Sequence, residues 1–246
     1  MNTLRLVLAS LRTLIVLLFV TTYTLIVGPP ALLVAWLTGW SNLLFQLGLF
    51  AVRVALAIAG IRYTVEGEEH ILDRPAVYCV NHTSNVEPPV LFLALRRLTP
   101  RLLIIYKAEL RKLPILGTGF HIAGFVPVDR GNREQTGKAL ETAARRLASG
   151  SSFLVFPEGT RSRTGELLPF KKGAFVMAMR AGAPVVPIAI AGARHAMRKG
   201  SPLIWPVHIR MRIGPPVETA GLPGDARDEL IHSVRDSIAR MLADIS

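Results

Sequence analysis

Between Arg12 and Arg53 the chain runs for forty residues without a charged side chain, about twice the ~20 apolar residues that cross a bilayer core. A stretch of that length belongs in or on a membrane. Gly28-Pro29-Pro30 interrupts it, and consecutive prolines remove amide donors and clash with helix continuation, so two helices are expected. The second, residues 31–52, would reach about 33 Å and the first, residues 13–27, only about 22 Å at the ~1.5 Å rise of an α-helix. A hairpin of this kind dips into one leaflet or crosses twice. Either way its ends lie on one side, which the bias of basic residues makes cytoplasmic.

The charges divide the chain at the same place. Residues 1–60 hold Arg5, Arg12 and Arg53 and no acid, whereas the other 186 residues hold 26 basic and 17 acidic side chains. An apolar leader, residues 1–60, therefore precedes a basic globular domain, residues 61–246. Deleting residues 1–53 is expected to leave that domain soluble. A secretory signal would share the basic start and apolar stretch, but no small-x-small cleavage site follows Val27 and a second apolar segment comes at once. Cys79, the single cysteine, sits in the apolar run Val77-Tyr78-Cys79-Val80 and reads as a core residue without a disulfide partner.

After Gly60, short β-type runs alternate with helical periodicity, the pattern of an α/β fold. Strands are predicted over residues 63–65, 76–80, 102–106, 125–128, 153–156, 185–191 and 207–213, giving one mixed sheet of about seven strands flanked by helices. Residues 132–148 read as a helix, with Asn132 as N-cap, Gln135 three residues on and Gly150 past the end. A last helix after Asp225 places Leu230, Ile231, Val234, Ile238, Met241, Leu242 and Ile245 on one face. There is no P-loop, dinucleotide fingerprint or zinc-spaced Cys/His cluster, so no metal or bound cofactor is expected. The formal net charge of +12 does not point to nucleic acid, because aromatics do not interleave with the basic residues and no recognition motif is present.

Two polar motifs follow apolar strands, about seventy residues apart. In Asn81-His82-Thr83-Ser84-Asn85-Val86-Glu87 the histidine precedes Pro88-Pro89, which favour a strand-to-helix turn. Glu87 five positions on can fix the imidazole tautomer, leaving the other nitrogen to take a proton from an alcohol. The alternative is a structural hydrogen bond. In Phe156-Pro157-Glu158-Gly159-Thr160-Arg161-Ser162 the arginine offers a planar fork for a phosphate, and Gly159 permits close backbone approach. The alternative there is a solvated turn whose glutamate and arginine pair with each other.

These two motifs, with Gly124-Phe125-Val126-Pro127-Val128-Asp129-Arg130 and Val186-Pro187-Ile188-Ala189-Ile190, resemble in type and order the four blocks of the 1-acylglycerol-3-phosphate acyltransferase family. Lys107-Ala108-Glu109-Leu110 with Pro114 and Gly117 resembles the segment between the first two blocks, and the leader resembles the family's two-helix membrane motif. The resemblance implies His82 as general base and Glu87 as its orienting carboxylate. Arg130, Glu158, Gly159, Thr160 and Arg161 would bind the acceptor's glycerol phosphate, and Lys107 would help stabilise the oxyanion. Glu87 departs from the aspartate usual in the family, which leaves the acceptor open.

The reaction so implied is transfer of a fatty acyl group from acyl-CoA or acyl carrier protein to the sn-2 hydroxyl of lysophosphatidic acid at a membrane, expected to be a bacterial inner membrane with the domain on the cytoplasmic side. Another lysolipid or an aminolipid as acceptor is one alternative. A non-catalytic membrane lipid-binding protein is another, though it would have no need of His82 and Glu87. Eight basic residues and no acid lie between Glu166 and Glu218, a segment suited to anionic headgroups or the phosphates of CoA.

Overall fold

All seven strands predicted from apolar runs are present in the computed structural model, which describes residues 3–129 and 131–245. They are β1 (Arg62–Glu66), β2 (Val77–Val80), β3 (Leu102–Lys107), β4 (Val126–Val128), β5 (Ser152–Val155), β6 (Val185–Ala191) and β7 (His208–Ile213). The helices are α1 (Thr3–Thr38), α2 (Asn42–Ala59), α3 (Glu87–Ala94), α4 (Pro114–Ile122), α5 (Arg133–Ala148), α6 (Gly173–Ala181), the single turn α7 (Ala193–Ala196) and α8 (Arg227–Ile245).

The sheet order is β1-β7-β6-β2-β5-β3-β4. Among the described strands the β6–β7 pairing alone is antiparallel, so β1 and β7 oppose five strands that run together. β2 lies between β5 and β6, and every residue of β2 and β6 is buried. Strands covered on both faces have no polar alternation, hence the unbroken apolar runs in the sequence.

Their side chains still alternate. Tyr78, Val80, Val186, Ile188 and Ile190 enter a cluster with residues of α2 and α3. Val77, Cys79, Val185, Ala189 and Ala191 enter another with α5, α6 and α8. The Cys79 thiol is fully buried, and burial pushes its pKa up to about 12. As read from sequence, the Asn132 side chain accepts from the Gln135 N–H at 3.1 Å to start α5. Leu230, Val234, Ile238, Met241 and Ile245 are the buried stripe of α8, with Ile231 and Leu242 packed beside them.

The leader is a helical hairpin, but its break is not where the prolines placed it. α1 continues through Pro29 and Pro30 for 36 residues, about 54 Å at the usual rise. Each proline forfeits one hydrogen bond, a loss that neighbouring turns and packed helices can absorb. Gly28 serves packing instead, since a Cβ there would lie 2.6 Å from the Ile115 side chain of α4. The turn comes at Gly39, whose φ of +70° ends the helix in the left-handed region.

The hairpin also shares the core. Val16, Leu49, Leu56 and Ala59 belong to the same buried cluster as Val90, Leu91 and Ile188. Phe45 of α2 packs against Phe92 and Phe125 with ring centroids 6.4 and 5.9 Å away. Removal of residues 1–53 would take Val16, Phe45 and Leu49 out of that packing, which bears against the expectation that the domain alone is soluble.

Candidate active site

β2 and β5 are parallel neighbours, with Cys79 opposite Val155, so the loops leaving their C-terminal ends emerge side by side. The C-terminal edge of parallel strands is where open α/β sheets take ligands. The two loops are laced together. The His82 N–H donates to Glu158 Oε1 at 2.7 Å, the Ser162 N–H donates to the His82 carbonyl at 2.7 Å, and the His82 ring stacks on Phe156 with centroids 4.1 Å apart. On the other side, Asn81 reaches β6: its side-chain amide donates to the Ile190 carbonyl at 3.0 Å and accepts from the Ile190 N–H at 2.8 Å. A side chain thus prolongs the strand pairing past Val80 and fixes where the next residue, His82, leaves the sheet.

Glu87 opens α3 and is fully buried. His82 Nδ1 lies 2.6 Å from its Oε2. The Thr83 N–H is 2.9 and 3.0 Å from the two oxygens, the Thr83 hydroxyl donates at 2.5 Å, and the Ser84 N–H donates at 3.1 Å. Four donors converge on one carboxylate, which suits the ionised form. Facing an acceptor, Nδ1 carries the ring proton and Nε2 keeps its lone pair. Nε2 has no hydrogen-bond partner among the described residues, and the imidazole is 15% exposed. An imidazole held this way can accept a proton at Nε2.

The second loop excludes the simple Glu158–Arg161 pair. Glu158 is 3% exposed, and its carboxylate is taken by main-chain amides, Oε1 by His82 and Oε2 by Leu168 at 2.9 Å. Burial raises its pKa, and the two amides offset part of that rise. Gly159 has φ +68°, a conformation cheap only for glycine. The Lys171 side chain lies over it, with Nζ 3.0 Å from where a Cβ would stand. Arg161 is left with no acid against its guanidinium among the described residues.

The structure thus brings together His82, Glu87, Glu158, Gly159, Thr160 and Arg161. Lys107 ends β3 in an exposed ion pair with Glu109 at 2.9 Å and makes no hydrogen bond to the dyad among the described residues. Arg130 lies outside the described residues. Of the eight basic residues between Glu166 and Glu218, Arg212 is tied to Glu66 and Asp244 at 2.8 and 2.6 Å. Val186-Pro187-Ile188 is buried strand.

Sequence reasoning missed Asn81, the Thr83 and Ser84 donors, and Phe156. The Ser84-x-x-Glu87 spacing was the available signal, since a glutamate three residues after a serine reaches back to that serine's amide. The other two contacts depend on which strands become neighbours. Among the described residues no group of three or more His, Cys, Asp or Glu is arranged to hold a metal ion.

Beside the site, an apolar cavity of about 430 Å³ lies between α1, α2, α3 and α4, lined by residues including Tyr23, Phe45, Pro88, Phe92, Phe120 and Phe125. Its size is within the range of small-molecule sites. Pro88 and Pro89 directly follow Glu87 in α3, so the cavity wall and the dyad share a helix. Gly117 lets α4 lie close against the turn before it, since a Cβ would meet the Arg111 carbonyl oxygen at 2.5 Å.

An imidazole with an open Nε2, a turn whose guanidinium meets no acid among the described residues, and an apolar cavity thus lie on neighbouring elements. Comparison with known proteins gives the class of the protein. A family model described as Acyltransferase matches residues 62–191, and the chain belongs to that family. It is 33% identical over 186 residues to a 1-acyl-sn-glycerol-3-phosphate acyltransferase of Limnanthes douglasii, covering 75% of this chain and 65% of the relative. It is 34% identical over 194 residues to the alpha form of the same-named enzyme from Mus musculus, covering 76% and 66%. The chain thus spans about two thirds of the length of these relatives. The crystal structure of the 1-acyl-sn-glycerophosphate (LPA) acyltransferase PlsC from Thermotoga maritima superposes with a TM-score of 0.84 at 29% identity, over 98% of this chain and 97% of that one.

Proposed function

We propose that the protein transfers a fatty acyl group from a thioester, acyl-CoA or acyl carrier protein, to the sn-2 hydroxyl of 1-acyl-sn-glycerol-3-phosphate, making phosphatidic acid for phospholipid synthesis. The carrying observation is the dyad, in which Glu87 holds Nδ1 of His82 at 2.6 Å and leaves Nε2 open. Nε2 takes the hydroxyl proton as the oxygen attacks the thioester carbonyl. The tetrahedral intermediate collapses, the carbon–sulfur bond breaks, and the leaving thiolate recovers the proton from the imidazolium. Glu87 compensates that cation without becoming protonated, the role of the buried acid in hydrolase triads.

Arg161 binds the acceptor's phosphate, and Glu158 holds its turn against His82, so headgroup and base keep a fixed separation. The apolar cavity takes acyl chain. Lys107, exposed and paired with Glu109, receives no support for a place at the carbonyl oxygen, and a part for Arg130 rests on the resemblance alone. The hairpin is proposed to lie in the membrane, since α1 bears exposed Leu, Ile, Val and Trp side chains from Leu4 to Trp36 and both helices are long and apolar enough to cross; the cytoplasmic side for the domain rests on the bias of basic residues at the hairpin's ends.

Purified protein assayed by mass spectrometry against a panel of lysolipids, monoacylglycerol, acyl-CoA and acyl carrier protein tests the reading. Lysophosphatidic acid is expected to be the preferred acceptor. Arg161→Ala is expected to raise its KM about tenfold or more, as loss of a charge-assisted contact does, with the donor's KM little changed. A rise confined to the donor would reassign the turn to the CoA phosphates.

A further inference from the structure

Lys199 lies beyond the residues matched by the family model, in the segment that follows α7. Its Nζ donates to Thr160 Oγ1 at 3.2 Å and to the Arg161 carbonyl at 2.9 Å. The side chain is half-buried and pairs with no acid among the described residues. An ammonium has three N–H donors, so one is left uncommitted. The segment is itself tied at both ends. The Ser84 hydroxyl donates to the Met197 carbonyl at 3.0 Å, and the Ile204 N–H donates to the buried Thr13 hydroxyl of α1 at 2.8 Å.

Among the described residues, three cations gather at a four-residue turn: Arg161 in it, Lys171 over Gly159 and Lys199 against Thr160. The turn's one acid, Glu158, is consumed by main-chain amides. A phosphate monoester carries roughly −1.5 to −2 charge near neutral pH, more than a single guanidinium balances. A phosphodiester carries one negative charge.

We infer that Lys199 is a further acceptor-site residue: two of its N–H groups fix the Thr160–Arg161 turn, and the third binds a phosphate monoester held by Arg161, so that Lys199 sets the preference for monoester over diester or uncharged acceptors. This rests on the proposed acceptor reading of Arg161. A methionine there keeps the aliphatic packing but neither the charge nor the donors, whereas arginine keeps both.

The test is steady-state kinetics in mixed micelles for the wild type, Lys199→Met, Lys199→Arg and Arg161→Ala. Each is measured with 1-oleoyl-glycerol-3-phosphate, 1-oleoyl-phosphatidylglycerol and monooleoylglycerol as acceptors and oleoyl-CoA as donor, beside thermal unfolding midpoints. Lys199→Met is expected to raise KM for the monoester about tenfold or more, the loss of one charge-assisted hydrogen bond. The donor's KM should hold, the preference for monoester over the other acceptors should shrink, and Lys199→Arg should recover most of it, together with any fall in the midpoint from the two ties to the turn. An unchanged monoester preference in Lys199→Met overturns the inference. So does a fall in kcat and midpoint that arginine fails to rescue, which would make Lys199 a structural tie alone. If Arg161→Ala raises the monoester's KM and Lys199→Met does not, only Lys199 is misassigned; if neither does, the acceptor reading of the turn fails with it.

Discussion

At the scale of single residues, Glu87 shapes the turn as well as the base. Glutamine has the same length, but its NH₂ at the Oε2 position would donate to Nδ1 and force the ring proton onto Nε2, and at the Oε1 position it would face the Thr83 and Ser84 N–H donors. Leaving a buried donor unsatisfied costs about 1–3 kcal/mol, and losing the oriented base costs about 10²–10⁴ in rate. Glu87→Gln is thus expected to lower both kcat and the thermal midpoint. His82→Ala should abolish turnover with the fold kept. Glu87→Asp retains the charge one methylene short, so its kcat should lie between those of wild type and Glu87→Gln. Glu87→Gln with kcat within a few-fold of wild type would show that the tautomer is not set by this carboxylate. The dyad was legible in the sequence because its members lie five residues apart on one turn. The part played by Glu158 was not, since its partners are amides of His82 and Leu168, and the first becomes a neighbour only when β5 pairs with β2.

At the scale of elements, what could be read depended on how local the cause was. Buried strands announce themselves as apolar runs, and α5 by its cap. The hairpin turn was misplaced because two prolines look like a stronger stop than one glycine. Pro29 and Pro30 are exposed on a helix that continues past them, whereas Gly39, with no other atom within 4 Å of a Cβ position, is constrained by its backbone angle alone. The two readings separate by mutation. Pro30→Ala restores a helix donor at an exposed position, so stability and helicity should hold or rise. Gly39→Ala forces a side chain into the left-handed region and should cost about 1–2 kcal/mol. Denaturant unfolding followed by circular dichroism in micelles measures both. If Pro30→Ala proved the more damaging, the prolines would have to be the hinge after all.

At the scale of the whole molecule, the leader and the sheet are one structure. A charge count divides them at residue 60, because membrane-facing and water-facing surfaces differ in composition, but a core is defined by contacts that composition does not record. Val16, Leu49 and Leu56 complete the cluster over β2 and β6. Phe45 closes an aromatic group in which Phe92 and Phe125 lie 5.7 Å apart, and Thr13 holds Ile204. Removing residues 1–59 would bare Phe92, Phe125, Leu91 and the α4 face together, a contiguous apolar patch of the kind that drives association. The truncated chain is therefore expected to aggregate or to require detergent, to bind a hydrophobic dye strongly and to unfold at a lower temperature than the full chain. The dyad should be damaged with it, since α3, which carries Glu87, loses its packing against α2. Size-exclusion chromatography, dye binding and turnover of a short-chain, water-soluble acceptor decide the matter. A monomeric, dye-silent truncation that turned over that acceptor at the rate of the full chain would mean that the hairpin only tethers the domain, and that the wall it contributes to the core is dispensable.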